Sequence, residues 1–256
     1  MRFAAHVLNY NQDKWILKYL QMMGPHVEKI YVGYSELPWG YVRSKREDFK
    51  NKADLSLLKE SDYYDKVEII SGEWVHDHAE RNECVLAAKR DGFDFLFSLD
   101  ADEFYHDEDI VKAKQFILDN PDYDCYRTRW VMYWKSLDYV IDHKGSGVYS
   151  PGGPQFVVNL TRGNKFWKQR RVTGKKRIFL DGIICHHVSY IKTDEECWNK
   201  LHTFSGTRNF DAEDWYRNVW LKWDEGMTNF HQRHPKYWKR AIRRPDDIVP
   251  PKILTE

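Results

Sequence analysis

Several absences narrow the field for this chain of 256 residues. Its four cysteines, Cys84, Cys125, Cys185 and Cys197, include no C-x-x-C pair, which argues against a structural zinc site or a disulfide framework. Reduced thiols in a cytoplasmic setting are the expectation. No apolar run is long enough to span a bilayer, and the stretch within MRFAAHVLNY is too short for a signal peptide. A soluble, unprocessed chain with no transmembrane segment is therefore expected. Neither charge dominates: 40 Lys and Arg stand against 39 Asp and Glu, so no global field selects a polyanionic partner. Internal repeats and low-complexity tracts are also missing. The length suits one large domain, or a domain with a modest appendage.

Aromatics are plentiful, at 16% with 11 Trp and 16 Tyr, and this argues for a folded chain with broad contact surfaces. Residues 2–10 have strand length. Asn11 and Asp13 offer helix-capping chemistry before the helical spacing of Trp15, Ile16, Leu17, Tyr19, Leu20 and Met23, and Gly24-Pro25 stops that helix. Strands follow at 29–34 and 66–71, separated by a polar loop with a short helix over 36–62. A helix is predicted over 79–90 and a strand buried on both faces over 93–99. Alternation of this kind predicts an α/β sheet whose ligands bind at the carboxyl edge of its strands.

Further on, the pattern predicts a helix over 108–119, strands over 125–134 and 155–160, a Gly/Pro/Ser-rich loop over 145–154, and short strands over 176–180 and 183–188. Thr193 then caps a helix running to about Phe204. The division expected is 1–205 as the main domain, with 1–106 as its nucleotide half and 107–205 as its acceptor half. Residues 206–256 are expected to form a Trp/Arg-rich, helical C-terminal extension.

The chemistry-bearing stretch is residues 79–104, AERNECVLAAKRDGFDFLFSLDADEF. Asp100 and Asp102 follow an apolar strand, and two carboxylates at i and i+2 on a strand point the same way. Hard oxygen ligands of this type suit a divalent cation. A plain alternative is a solvated strand end, and Asp107, Glu108 and Asp109 fit that role as helix-start charges.

With Arg81-Asn82 on the preceding helix and Asp100-Ala101-Asp102 at the strand end, the chain resembles the GT-A class of nucleotide-sugar glycosyltransferases, in particular the family-2-like, D-x-D-containing enzymes. The resemblance covers roughly residues 2–205. It implies a Rossmann-like mixed sheet flanked by helices and transfer from a nucleotide-diphosphate sugar, UDP- or GDP-linked, with Mn²⁺ or Mg²⁺. It further implies nucleotide-sugar contacts from Asn9, Arg81, Asn82, Asp100 and Asp102, with Asp102 as the direct metal ligand. Asp100 would contact ribose or metal-bound water, and Arg81 would approach the diphosphate or anchor Asp100. Such enzymes often add a late histidine to the metal sphere, and His186 and His187 are both candidates because adjacent strand residues face opposite sides. The chain departs from the pattern at Gly33-Tyr34-Ser35, where many family-2 enzymes carry acidic residues.

An inverting transfer needs a general base, and Asp138, Asp181 and Asp194 are the candidates, with Asp142 also nearby. Residues 165–177 combine Lys175, Lys176 and Arg177 with Trp167 as a candidate acceptor surface, and a second basic cluster occupies 236–244. A saccharide acceptor is favoured. The alternatives are a modified nucleic-acid base, a non-catalytic module binding carbohydrate or nucleic acid, and a nucleotidyltransferase of similar layout.

Overall fold

The computed structural model describes residues 1–40, 46–204 and 209–256. The chain opens with β1 (Phe3–Leu8), α1 (Asp13–Met23), β2 (Lys29–Tyr34), β3 (Val67–Ser71), α2 (Asp77–Arg90) and β4 (Phe95–Ser98). β1 pairs in parallel with β2 and β4, and β2 with β3, giving the order β3-β2-β1-β4. The start of α1 differs from expectation. Asn11 takes a left-handed φ of 54° and its Oδ1 accepts the Lys52 backbone N–H at 2.6 Å, so Gln12 occupies the capping position.

The second half contains β5 (Glu103–Phe104), α3 (Asp107–Asp119), β6 (Cys125–Trp134), β7 (Ser136–His143) and β8 (Gln155–Asn159). After these come β9 (Phe166–Lys168), β10 (Arg171–Val172), β11 (Arg177–Tyr190) and α4 (Asp194–Thr203). β8 lies antiparallel between β4 and β6 and joins the halves into one mixed sheet. β11 runs parallel to β6 and antiparallel to β5. It replaces the two short strands expected there: the register slips between Phe179 and Ile184, where Gly182 has a φ of 75° that only glycine adopts freely. The α/β class and the mixed, helix-flanked sheet implied by the resemblance are both present.

The tail is only partly helical. α5 (Ala212–Trp215) leads into a π-helical turn over Tyr216–Trp220, but β12 (Trp238–Arg243) is an edge strand antiparallel to β7, and α6 (Lys252–Thr255) follows. Strand pairing wins there because Trp238 and Ala241 are buried while Lys239 and Arg240 face outward. The boundary expected between 205 and 206, and part of the loop expected over 36–62, lie outside the described residues.

Side-chain alternation along the strands builds two cores. Ala5, Val7, Phe95 and Phe97 belong to a cluster with Ile16 and Leu20 of α1 and Ile110 and Ile117 of α3. Ala4, Tyr31 and Leu96 belong instead to a cluster with Cys84, Val85 and Ala88 of α2. Burying each large apolar side chain contributes about 1.5–3 kcal/mol, so the strands at the centre are held firmly from both faces. A third cluster surrounds Trp134, whose ring lies 4.9–6.2 Å from those of Trp215, Trp220, Trp223, Phe230 and Trp238. This is where the tail packs. All four cysteines are buried free thiols, and no helix among the described residues is long and apolar enough to cross a membrane.

Candidate active site

A cavity of about 560 Å³ opens where the parallel strands end, and its lining includes Leu8 at the end of β1, Tyr10 just after it, and Asp100 and Asp102 after β4. β4 stops at Ser98, and a turn closed by the Glu103 N–H on the Asp100 carbonyl at 3.0 Å carries both aspartates. The simple strand alternation expected of positions 100 and 102 is therefore replaced by turn geometry. The two carboxyls take different partners.

Asp100 is held by arginines. Arg81 Nη2 donates to Asp100 Oδ1 at 2.6 Å and Arg170 Nη1 donates to Oδ2 at 3.2 Å. Burial pushes this carboxyl up, but the charges of Arg170 and Arg81 outweigh it and hold Asp100 well below the usual carboxylate range. Arg170 also donates to Glu103 Oε1 and to the Ser98 carbonyl. Arg81 has donors to spare: its Nε and Nη1 are buried and unpaired.

Asp102 belongs to a second pair. Its Oδ1 lies 3.5 Å from His187 Nε2, and its carbonyl accepts the Val188 N–H at 2.9 Å, tying the turn to β11. Burial raises this carboxyl as well, but the charge and proximity of His187, with Lys200 and Lys192 beyond it, bring it well below the usual range. The His187 ring stacks on Trp130 with centroids 5.3 Å apart, and its Nδ1 is unpaired.

His186 faces the other side of β11. It shares a 2.9 Å hydrogen bond with the Tyr133 hydroxyl through Nδ1 and packs against His106, and burial drives its pKa down to about 3. Of the two histidines, only His187 lines the cavity. The register of β11 against β5 and β6 decides which, and this is invisible in the dipeptide itself.

These contacts also bear on whether a divalent ion fits. Both Asp100 oxygens are occupied by guanidinium groups, so that residue is a poor ligand here. Asp102 and His187 present one oxygen and one nitrogen at a separation compatible with a shared ion. Among the described residues no third His, Cys, Asp or Glu joins them.

Asn82 does not line the cavity. Its Nδ2 donates to the Phe166 carbonyl and its Oδ1 accepts the Phe166 N–H, both at 2.8 Å, clamping the β9–β10 hairpin onto α2. Gln169, Arg170 and Arg171 at the hairpin tip line the cavity, with Gln169 at a φ of 50°. Asn9 is buried with its side-chain amide unpaired, outside the lining.

The three candidate bases are also outside the lining. Asp138 is on β7 and accepts from the Ser136 hydroxyl, Asp181 is on an outward part of β11, and Asp194 accepts the Trp220 Nε1–H at 2.8 Å. Instead, Asp77 and Glu196 line the cavity beside Asp100 and Asp102. The proposed acceptor cluster misses it too. Trp167 is half exposed, Lys176 Nζ lies over the Tyr123 ring, and Arg177 donates to the Gly174 and Val172 carbonyls. Lys175 is exposed and outside the lining. Hairpin geometry explains the difference, because the strands of the basic segment point outward while its tip turns in. The tip's Arg170 is a cavity-lining residue that the basic run concealed.

No protein-family model matches this chain, and neither does any curated protein sequence. Among solved structures, it is similar to S. aureus TarS 1–349, at 13% identity and a TM-score of 0.42, covering 84% of this chain and 69% of that one. It is also similar to a mannose-1-phosphate geranyltransferase from Thermus thermophilus, at 15% identity and a TM-score of 0.33, covering 62% of this chain and 50% of that one. A third is the 4-diphosphocytidyl-2C-methyl-D-erythritol synthase from Anaerococcus prevotii, at 9% identity and a TM-score of 0.40, covering 78% of this chain and 95% of that one. At these identities and TM-scores, the reading of function rests on the cavity itself.

Proposed function

We propose that this chain transfers a sugar from a nucleotide-diphosphate donor, UDP- or GDP-linked, to a hydroxyl of a saccharide acceptor. The observation that carries this reading is the meeting, in one cavity, of the Asp102–His187 pair and an arginine with unpaired buried donors, Arg81. A departing nucleoside diphosphate gathers negative charge on its phosphates. Preorganised donors aimed at that charge stabilise the transition state more than the ground state.

Asp102 and His187 are the residues that suit a divalent ion, Mn²⁺ or Mg²⁺, which when bound offsets charge on the diphosphate and orients it. Arg81 donates from Nε and Nη1 to phosphate oxygens, while its Nη2 stays on Asp100. Asp100 thus orients Arg81. Arg170 neutralises Asp100 and Glu103 beneath the turn, keeping the Asp100 carboxylate from repelling the diphosphate. Trp130 offers an aromatic face to the acceptor sugar. Asp77 and Glu196 take over as the acids to test for removal of the acceptor proton.

The test is to incubate the protein with UDP- and GDP-sugars, with and without Mn²⁺, and to identify the product released. Nucleoside diphosphate in the presence of Mn²⁺ supports sugar transfer. Pyrophosphate would instead indicate nucleotidyl transfer, and ligand binding without any turnover would indicate a binding module.

A further inference from the structure

The wall of the cavity formed by the end of β11 and by α4 holds two lysines that sugar transfer, as argued above, does not employ. Lys192 and Lys200 both line the cavity, together with Ser189. Lys200 Nζ donates to Ser189 Oγ at 2.6 Å and lies 5.4 Å from the Tyr190 ring centroid. Neither ammonium forms an ion pair with a carboxylate among the described residues. Their nearest influence on each other is repulsive: burial first, and then the like charge of Lys200, lower the pKa of Lys192, while Asp102 and Glu196 act in the opposite sense.

Holding two like charges together on a partly desolvated wall is costly without a counter-ion. Each cavity carboxylate has a nearer partner than these lysines, although the field of Asp102 reaches both. Asp100 is on Arg81 and Arg170, Asp102 is beside His187, and Glu196 Oε2 accepts the Thr193 N–H in the α4 capping box. Ser189 accepts from Lys200, which leaves its own O–H free to point to a further acceptor. Two ammonium groups and one hydroxyl on a concave surface match the oxygens of a phosphate.

We propose that Lys192, Lys200 and Ser189 form a phosphate-binding subsite on the α4 wall of this cavity. The inference deepens the transfer reading and rests on the cavity being its substrate site. The phosphate belongs to a substrate, either as part of the donor diphosphate or as a phosphate group carried by the acceptor.

The test is titration calorimetry of the full chain with inorganic pyrophosphate, UDP and GDP, for wild type and for Lys192→Met, Lys200→Met and Ser189→Ala. Thermal melts check folding, and Lys200→Arg, which retains the charge, guards against a purely structural loss. Wild type is expected to bind pyrophosphate, and each Lys→Met change to weaken that binding about tenfold or more, with Lys200→Arg weakening it less. A parallel loss for UDP or GDP assigns the subsite to the donor diphosphate. Unchanged nucleoside-diphosphate binding with pyrophosphate binding lost assigns it to an acceptor phosphate. Wild type failing to bind pyrophosphate, or folded Lys→Met variants binding it as wild type does, overturns the proposal. Because pyrophosphate binding requires no sugar transfer, this outcome is independent of whether a donor sugar is ever turned over.

Discussion

Arg170 Nη1 lies 3.2 Å from Asp100 Oδ2 although the two residues are 70 positions apart. That contact changes the role of the first aspartate in the D-x-D motif. Asp100 is the anchor of two guanidinium groups, and of the two aspartates only Asp102 lies beside His187.

Removing Arg170 should therefore be costly to the fold. Arg170→Met leaves Glu103, whose side chain is fully buried, without its cationic partner. Breaking a buried pair from one side costs about 3–5 kcal/mol, and guanidinium unfolding of the variant should show a loss of that order. A change within about 0.5 kcal/mol, the scale of ordinary surface substitutions, would show that the contact is incidental.

The hairpin makes a separate prediction. Asn82→Ala removes both hydrogen bonds to Phe166, leaving its N–H and C=O to find other partners. The expected loss is about 1–3 kcal/mol, and amide hydrogen exchange should speed up over 166–172 more than over β4. Uniform acceleration across the sheet would contradict a clamp confined to the hairpin.

Glu80 gives a pH dependence. It is buried on α2 and accepts the Trp39 Nε1–H at 2.7 Å. Burial raises its pKa from the ordinary 4.5 to about 7, against the lowering effects of Trp39 and Arg81, with Asp77 and Asp100 adding to the rise. The folded state thus holds this proton more tightly than the unfolded state does. The associated stability is complete below pH 4.5 and is lost as pH rises through about 7. Unfolding midpoints measured across that window should fall in wild type relative to Glu80→Gln, which stays neutral and can still accept from Trp39. Parallel pH profiles for the two proteins would refute this.

The histidine pair separates two readings of the metal site. Mn²⁺ binding, followed by electron paramagnetic resonance with UDP or GDP present, should be lost in His187→Ala. It should persist in His186→Ala, whose defect is the lost Tyr133 partner and hence stability. The reverse pattern would place the ion on the other face of β11.

Much of this architecture is legible in the sequence because it is local. The apolar period of 13–23, the capping chemistry at Thr193 and the Phe-rich run before Asp100 each declare their element, and Arg81, Asp100 and Asp102 all line one cavity. The rest depends on pairings far apart in the chain. Nothing in 165–177 announces a hairpin, and its inward tip follows from Asn82 gripping Phe166 across 84 positions. Likewise β12 is a strand because β7 offers it an edge, and His187 rather than His186 faces the cavity because β11 is registered against β5. For the same reason the candidate bases Asp138, Asp181 and Asp194 lie outside the cavity lining, whereas Asp77 and Glu196 reach it from the first turns of two helices.

The most direct measurement is donor turnover with Mn²⁺ by wild type, Asp102→Asn and Asp100→Asn, all verified as folded. Wild type should release nucleoside diphosphate only when Mn²⁺ is present. Asp102→Asn should lose that activity at every Mn²⁺ concentration, while Asp100→Asn, which loosens Arg81 and leaves the ligands in place, should retain a reduced but still Mn²⁺-dependent rate. Wild-type turnover indifferent to Mn²⁺, or full activity in Asp102→Asn, would contradict the account.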